Sequence, residues 1–269
     1  MVKGTMGVIA CPMLEDELVF GIQDDPEPKN VYIVDGEYVR TIRGKLDRRS
    51  IPYTMVDEYG FMTGMDMDPD GFNIVIMMNP TKLHMEPEKL REHLKDQLRM
   101  LAGRFDVLAL YYGMCGSYGW DPSAWAKENG IPTPVTVFHD NNGEVCDDCV
   151  SVAVGGREEY RDLVKNYTGM LFLTPAFATS WDEYPLGNEK EWAGFYSSAE
   201  EYMRDLFKWG HYEYALRIDT GLGDREKVDE CCADVASRME LKLIDPSTPV
   251  ATTALAHSMF ERSKSLLGS

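Results

Sequence analysis

Two kinds of segment alternate along most of this chain: short, almost unbroken apolar runs such as VLALYY at 107–112, and amphipathic stretches such as Glu86 to Leu101. A strand made from an unbroken apolar run has no face fit for water, so both of its sides must be covered. Intervening helices supply that cover. The pattern therefore specifies an α/β fold, mainly a parallel sheet with helices on both faces. The clearest helix is Glu86 to Leu101, where Leu90, Leu94, Leu98 and Leu101 recur at helical spacing, Pro87 falls in the first turn and Gly103 lies past the end.

The same reading places strands near Gly7 to Ala10, Val31 to Val34, Ile51 to Val56 and Phe72 to Met78. Further strands are expected over Val107 to Tyr112, Pro134 to His139, Val150 to Val154, Met170 to Thr174 and Tyr214 to Asp219. Helices are expected near Pro122 to Glu128, Arg157 to Asn166, Ala199 to Lys208, Arg225 to Leu241 and Pro249 to Ser263. Between residues 24 and 70 the pieces are loop-rich and alternating, which reads as a small antiparallel insertion. The stretch Thr179 to Phe195, with Trp181, Tyr184 and Trp192, reads as a long aromatic connection of the kind that covers a site or staples a surface loop. One α/β domain over residues 1–269 accommodates all of this, and a weak echo between GMCG and DTGLGD is what two pseudo-repeated halves leave behind.

The formal net charge of −18 argues against nucleic acid as a partner, because phosphate binding draws on clustered Lys and Arg. Nowhere do about 18 uninterrupted apolar residues occur, so no membrane span is expected. The apolar run before Cys11 is too short for a signal-peptide core and Glu15, Asp16 and Glu17 follow at once, which points to a cytoplasmic protein. In that compartment six cysteines are more plausibly thiols or metal ligands than a disulfide framework.

Three of those cysteines stand where an apolar run gives way to a loop: Cys11 after GVIA, Cys115 after VLALYYGM, and Cys149 beside VSVAVGG. In a parallel sheet the carboxyl ends of the strands share one edge, so residues remote in sequence meet there. A zinc site built on Cys11, Cys115 and Cys149 is the expectation, with iron as the lesser choice and Cys146 as a further thiol. Cys146 and Cys149 have the C-x-x-C spacing that lets one turn offer two sulfurs to one ion. A redox dithiol fits the spacing as well, but VSVAVGG reads as β and Asp147 and Asp148 would raise a thiol pKa, so metal ranks above redox.

Around Cys115, Tyr112, Gly113 and Gly116 form a strand-end cradle in which glycines permit close approach of backbone to a ligand. His139 and Asp140 close the run VTVFHD and are candidates for a fourth ligand or a general base at the same edge. The other histidines, His84 among them, read as structural, and the neighbours Cys231 and Cys232 as packing residues. The motifs GxGxxG, GxxxxGKS, GxSxG and HExxH are absent from the chain.

The segments ACPMLEDEL at 10–18, DVLALYYGMCGS at 106–117, DDCVSVAVGGREEY at 147–160, LTPAF at 173–177 and RIDTG at 217–221 together resemble a family of unknown function. Its members occur in methanogenic archaea and some anaerobic bacteria, often encoded near corrinoid-dependent methylamine methyltransferases. Matched residue by residue, the motifs are Cys11, then Tyr112, Gly113, Cys115 and Gly116, then Asp148, Cys149, Gly155, Arg157 and Glu158. Cys146, in a stretch longer than the family pattern, departs from it.

The resemblance implies a setting rather than a mechanism: one-carbon, corrinoid-linked methyl transfer, with a corrinoid protein or methyltransferase as partner and a small-molecule substrate. Zinc on three thiolates can activate a fourth, substrate thiol to accept a methyl group, so a zinc-dependent methyltransferase is the first reading. A non-catalytic accessory protein that binds corrinoid or metal for a methyltransferase is the second. The residues leave open whether the chain is catalytic, and a structural partner with core cysteines is the third reading.

Overall fold

The computed structural model describes residues 2–115, 119–183 and 192–268. Six strands, β1 (Gly4–Ala10), β2 (Asn30–Val34), β3 (Thr54–Val56), β4 (Phe72–Met78), β5 (Val107–Tyr111) and β6 (Val135–Val137), form one sheet in the order β3-β2-β4-β1-β5-β6. Every neighbouring pair in it is parallel. β1 lies inside the sheet, registered along its whole length on β4 from Gly4 opposite Phe72 to Ala10 opposite Met78, and on β5 from Met6 to Ala10.

Side chains of a strand alternate between faces, and here both faces are apolar. Met6, Val8 and Ala10 of β1 point to a core shared with α1 (Glu15–Asp24), α2 (Arg40–Arg48) and α11 (Ala254–Lys264), through Leu18, Ile42, Met259 and Phe260. Ile9 points the other way, to a core closed by α3 (Glu58–Thr63) and α4 (Pro87–Leu101). The four leucines of α4 that mark its apolar stripe are all buried there. Full burial of such a side chain stabilises the fold by roughly 1.5–3 kcal/mol, so this stripe alone fixes α4 on the sheet.

After α5 (Pro122–Glu128), α6 (Cys149–Val154) and α7 (Arg157–Asn166), a second sheet begins. Its strands β7 (Met170–Leu173), β8 (Tyr214–Arg217) and β9 (Lys242–Ile244) are also parallel and stand in sequence order. With α8 (Pro175–Thr179), α9 (Ala199–Trp209) and α10 (Arg225–Arg238) they enclose a separate core containing Leu173, Trp181, Phe207, Ala215, Cys232 and Val235. The chain then returns to the first sheet, where α11 is tied by Thr136 Oγ1 to Ser263 Oγ at 2.7 Å and by Lys264 Nζ to Asp25 Oδ1 at 2.7 Å.

The α/β class with a mainly parallel sheet and helices on both faces is thus present, and two details of the sequence reading are corrected. Residues 24–70 hold no antiparallel insertion: β2 and β3 are parallel strands that extend the main sheet, with α2 and α3 between and after them. The direction of a strand is set by its crossover, and α2 supplies the return that a parallel pair needs. The run Val150 to Val154 is not a strand but the body of α6, opened by Asp148, whose side chain accepts from Ser151 N, and closed by Gly155 at φ 106°. A short apolar run fits a buried helix as well as a buried strand, and the capping residues at its two ends decide the matter. Of the aromatic connection, Trp181 is buried in the second core and Phe195 is exposed, while Tyr184 lies outside the described residues.

Candidate functional site

β1 and β5 are neighbours whose chains leave to opposite faces of the sheet. From β1 the chain enters α1, which packs Leu18 and Ile22 on one core, whereas the segment after β5 packs Trp120 and Trp125 against the other. Such a divergence opens a crevice at the carboxyl ends of the two strands, and this is where open α/β sheets bind ligands. Cys11 and Cys115 stand at those two ends.

Cys11 is the first residue after β1, held by its N–H to Tyr111 O at 3.3 Å, and its Sγ accepts from Met13 N at 3.4 Å. Cys115 sits at the tip of the loop after β5, where Met114 N donates to Cys146 O and Cys115 N to Asp147 O, both at 2.8 Å. These two bonds lay the loop against the segment that carries Cys149, the first residue of α6. Gly113 makes the approach feasible: a Cβ there would lie 2.8 Å from Cys146 O and 2.9 Å from Asp148 N, a contact that only glycine escapes. Cys115 pays a conformational cost at the tip, with φ at 47° in the left-handed region.

A fourth side chain arrives from β4. The turn Thr81–Met85 that follows that strand presents His84, whose Nε2 lies 3.0 Å from Cys11 Sγ and whose ring stacks on Tyr112 at a centroid distance of 6.0 Å. Burial pulls the imidazole pKa down to about 4. Burial likewise pushes the Cys11 thiol well up, helped by Cys115 nearby. The contact is therefore a neutral thiol–imidazole hydrogen bond and not the thiolate–imidazolium pair of a cysteine nucleophile.

Cys11, Cys115, Cys149 and His84 line one cavity of about 710 Å³. Its remaining wall is mostly apolar, from Met13, Leu14, Met114, Val150, Phe172 and Phe177, with Asp147, Asp148 and Tyr160 as polar members and no Lys or Arg among the described lining residues. Phe172 belongs to β7 and Phe177 to α8, so the second sheet contributes to the enclosure. Burial raises the thiol of Cys115 to about 12, and raises that of Cys149 well above its ordinary value with Asp148, Cys115 and Cys11 adding to the effect. All three are protonated thiols at neutral pH unless a positive charge joins them.

The other expected site residues go elsewhere. Cys146 is buried in the core beneath the main sheet and does not line the cavity, so only Cys149 of the C-x-x-C pair reaches it. Tyr112 is buried under His84, and Gly113 serves the contact between two loops. Gly116 lies outside the described residues. His139 is turned into the strand end, its Nδ1 at 3.0 Å from Val137 O, and Asp140 accepts from the N–H groups of Asn142, Glu144 and Arg157 at 2.9, 3.0 and 3.3 Å. Neither lines the cavity, and Asp140 is occupied in holding its own turn to the start of α7. His84, which the sequence offered only as a structural residue, takes the place expected of His139. No local pattern marks it, because it sits in a short turn after β4.

For a metal ion the donor chemistry is apt, since three thiols and an imidazole are the ligand set that zinc prefers. Their spacing is looser than a finished site: among the described residues no three His, Cys, Asp or Glu side chains form a group that could hold a metal as they stand. All six cysteines are free thiols.

Fold and cavity define an α/β protein with three thiols and an imidazole on the wall of one cavity at the carboxyl ends of the sheet strands. Residues 78–255 match the family described as "Protein of unknown function (DUF1638)", and the chain belongs to that family. The matched span contains His84, Cys115 and Cys149 but begins after Cys11. No curated protein and no solved structure matches the chain. Among the described residues no helix is long and apolar enough to cross a membrane.

Proposed function

We propose that this chain binds zinc, or with less preference iron, through Cys11, Cys115 and Cys149, and that it serves corrinoid-linked one-carbon methyl transfer in a reducing cytoplasm. The observation that carries the metal is the meeting of three thiols, from three separate elements, on the wall of one cavity. His84 is the fourth donor at hand. The methyl-transfer setting rests on the resemblance of the ACPMLEDEL, YYGMCG and DDCVSVAVGGRE segments to the methanogen-associated family.

Zinc held there by Cys11, Cys115 and Cys149 would supply the positive charge that favours the thiolate form of these thiols and of a substrate thiol beside them. The chain's own part is to exclude water with Met13, Met114, Phe172 and Phe177 and to hold the small-molecule substrate in the chamber. With no Lys or Arg among the described lining residues, the matching substrate is neutral and soft rather than phosphorylated. A partner corrinoid protein or methyltransferase completes the system. The accessory reading, corrinoid or metal binding without catalysis, draws support from one observation: His84, the imidazole on the wall, is held neutral by burial and is engaged with Cys11.

Metal quantification on anaerobically purified protein, with cobalt(II) charge-transfer absorption as the thiolate signature, tests the site. Stoichiometric metal that is lost in Cys115→Ser and Cys149→Ser supports it, and wild type that takes up no zinc or cobalt ends it. Methyl transfer from methylcobalamin to a small thiol then separates enzyme from accessory protein.

A further inference from the structure

A second cavity, of about 670 Å³, opens between α2 and the loop leading into α10, and its wall shares no residue with that of the thiol chamber. Three cations reach it from one face of α2 and the residue beyond its end: Lys45, Arg48 and Arg49, at spacings that put them side by side on a helix. Lys45 is buried and its charge is met by Glu15 at 3.0 Å and Asp16 at 2.7 Å. The other acids on the wall are engaged as well, Asp24 with His257 Nδ1 at 3.1 Å and Asp224 with Lys227 N at 3.3 Å. Arg49 Nη2 donates to Gly223 O at 3.1 Å, and Arg48 has no acidic partner among the described residues.

The wall also carries Asp16, Asp24 and Asp224, but each has a partner of its own, and none of them is paired with Arg48 or Arg49. Facing them, Thr220 to Asp224 passes through two left-handed glycines, Gly221 at φ 71° and Gly223 at φ 78°, into the fourteen-residue helix α10. The start of that helix is capped by Asp224 and has Glu226 in its first turn, so the positive charge on this wall comes from the arginines. Val19, Phe20 and Leu222 supply an apolar patch beside the charges. The volume lies in the range of small-molecule sites and exceeds what a bare anion needs.

We propose that this cavity binds a phosphorylated small molecule, its phosphoryl group held by Arg48 and Arg49 and its organic body lying on Phe20 and Leu222. Guanidinium groups suit a phosphoryl group because their donors match its oxygens in pairs.

Isothermal titration of the full chain with adenosine 5′-monophosphate, inorganic phosphate and adenosine tests this. The expected result is saturable binding of the monophosphate, weaker binding of phosphate, and adenosine weakest. Arg48→Ala is expected to weaken the monophosphate by about tenfold, the loss of a charged hydrogen-bond partner, with Arg48→Lys between the two and Lys89→Ala on α4 unchanged. Near-ultraviolet circular dichroism identical to wild type certifies that each variant is folded. Saturable phosphate alone, with the same dependence on Arg48, also supports the proposal. No saturable binding of either phosphate-bearing probe at millimolar concentration, or equal affinity in wild type and Arg48→Ala, overturns it.

Discussion

Gly113 and Cys146 touch backbone to backbone: a Cβ on the glycine would stand 2.8 Å from the cysteine's carbonyl oxygen. The loop that carries Cys115 and the segment that carries Cys149 are therefore held together by an absence of side chain, and the thiol chamber depends on that absence. Gly113→Ala is expected to force the two segments apart and destabilise the fold by about 1–3 kcal/mol, the usual cost of overpacking. Urea unfolding measures the loss, and faster labelling of Cys115 and Cys149 by a thiol reagent reports the opened chamber.

The left-handed backbone of Cys115, φ 47°, disfavours any residue with a Cβ. With the sulfur removed in both cases, Cys115→Gly is expected to be more stable than Cys115→Ala by about 1 kcal/mol. A pair of thermal melts decides it. Equal stabilities would mean that the loop relaxes out of the left-handed region when the thiol is gone.

Asp148 caps α6 through Ser151 N at 2.9 Å, while burial raises its own pKa. Asparagine caps as well without carrying a charge, so Asp148→Asn is expected to be neutral or slightly stabilising at pH 7. Asp148→Ala is expected to lose about 1 kcal/mol with the cap. If the two variants were equally destabilised, the carboxylate's charge rather than its capping bond would be what the site uses.

Glu17 is buried with its Oε2 lacking a donor among the described residues, and burial together with Asp16 raises its pKa to about 8 from an ordinary value of 4.5. Lys45 and Glu15 also face it, and its charge bears on Tyr111, Cys11 and Cys149. Folded protein then holds this proton between pH 4.5 and about 8, where the unfolded chain has released it. Stability from this group is complete below the lower value and declines as pH rises through the window, by about 1.4 kcal/mol per pH unit at most. Glu17→Gln is expected to flatten that slope and to be more stable than wild type at pH 8.5. Unfolding free energies of both proteins from pH 5 to pH 9 test it, and parallel curves would show that Glu17 ionises freely.

Much of this molecule is legible from the chain. Phe72–Met78, Pro122–Glu128 and Arg157–Asn166 occupy the ranges their patterns assign, and the leucines of α4 are buried as a stripe. Cys11 and Cys115 stand at the strand ends their positions assign and line one cavity with Cys149, while among the described residues no group forms that could hold a metal as it stands. The signal for α6 was present as well, in Asp148 before the apolar run and Gly155 after it, but the β-branched valines outweighed it. Glu15, Asp16 and Glu17 form the acidic first turn of α1, and nothing nearby in the sequence announces that Lys45 pairs with two of them in the interior.

Periodicity, capping residues and glycine positions act over a few neighbouring residues, so the sequence by itself determined the α/β class, most of the elements and the chain turns on which the thiols stand. Tertiary structure alone decided that β2 and β3 run parallel to β4, that His84 and not His139 faces Cys11, and that Cys146 sinks into the core while Cys149 reaches the cavity. Those outcomes depend on which distant segments cover one another and remove water, a property of the assembled chain that no local pattern encodes.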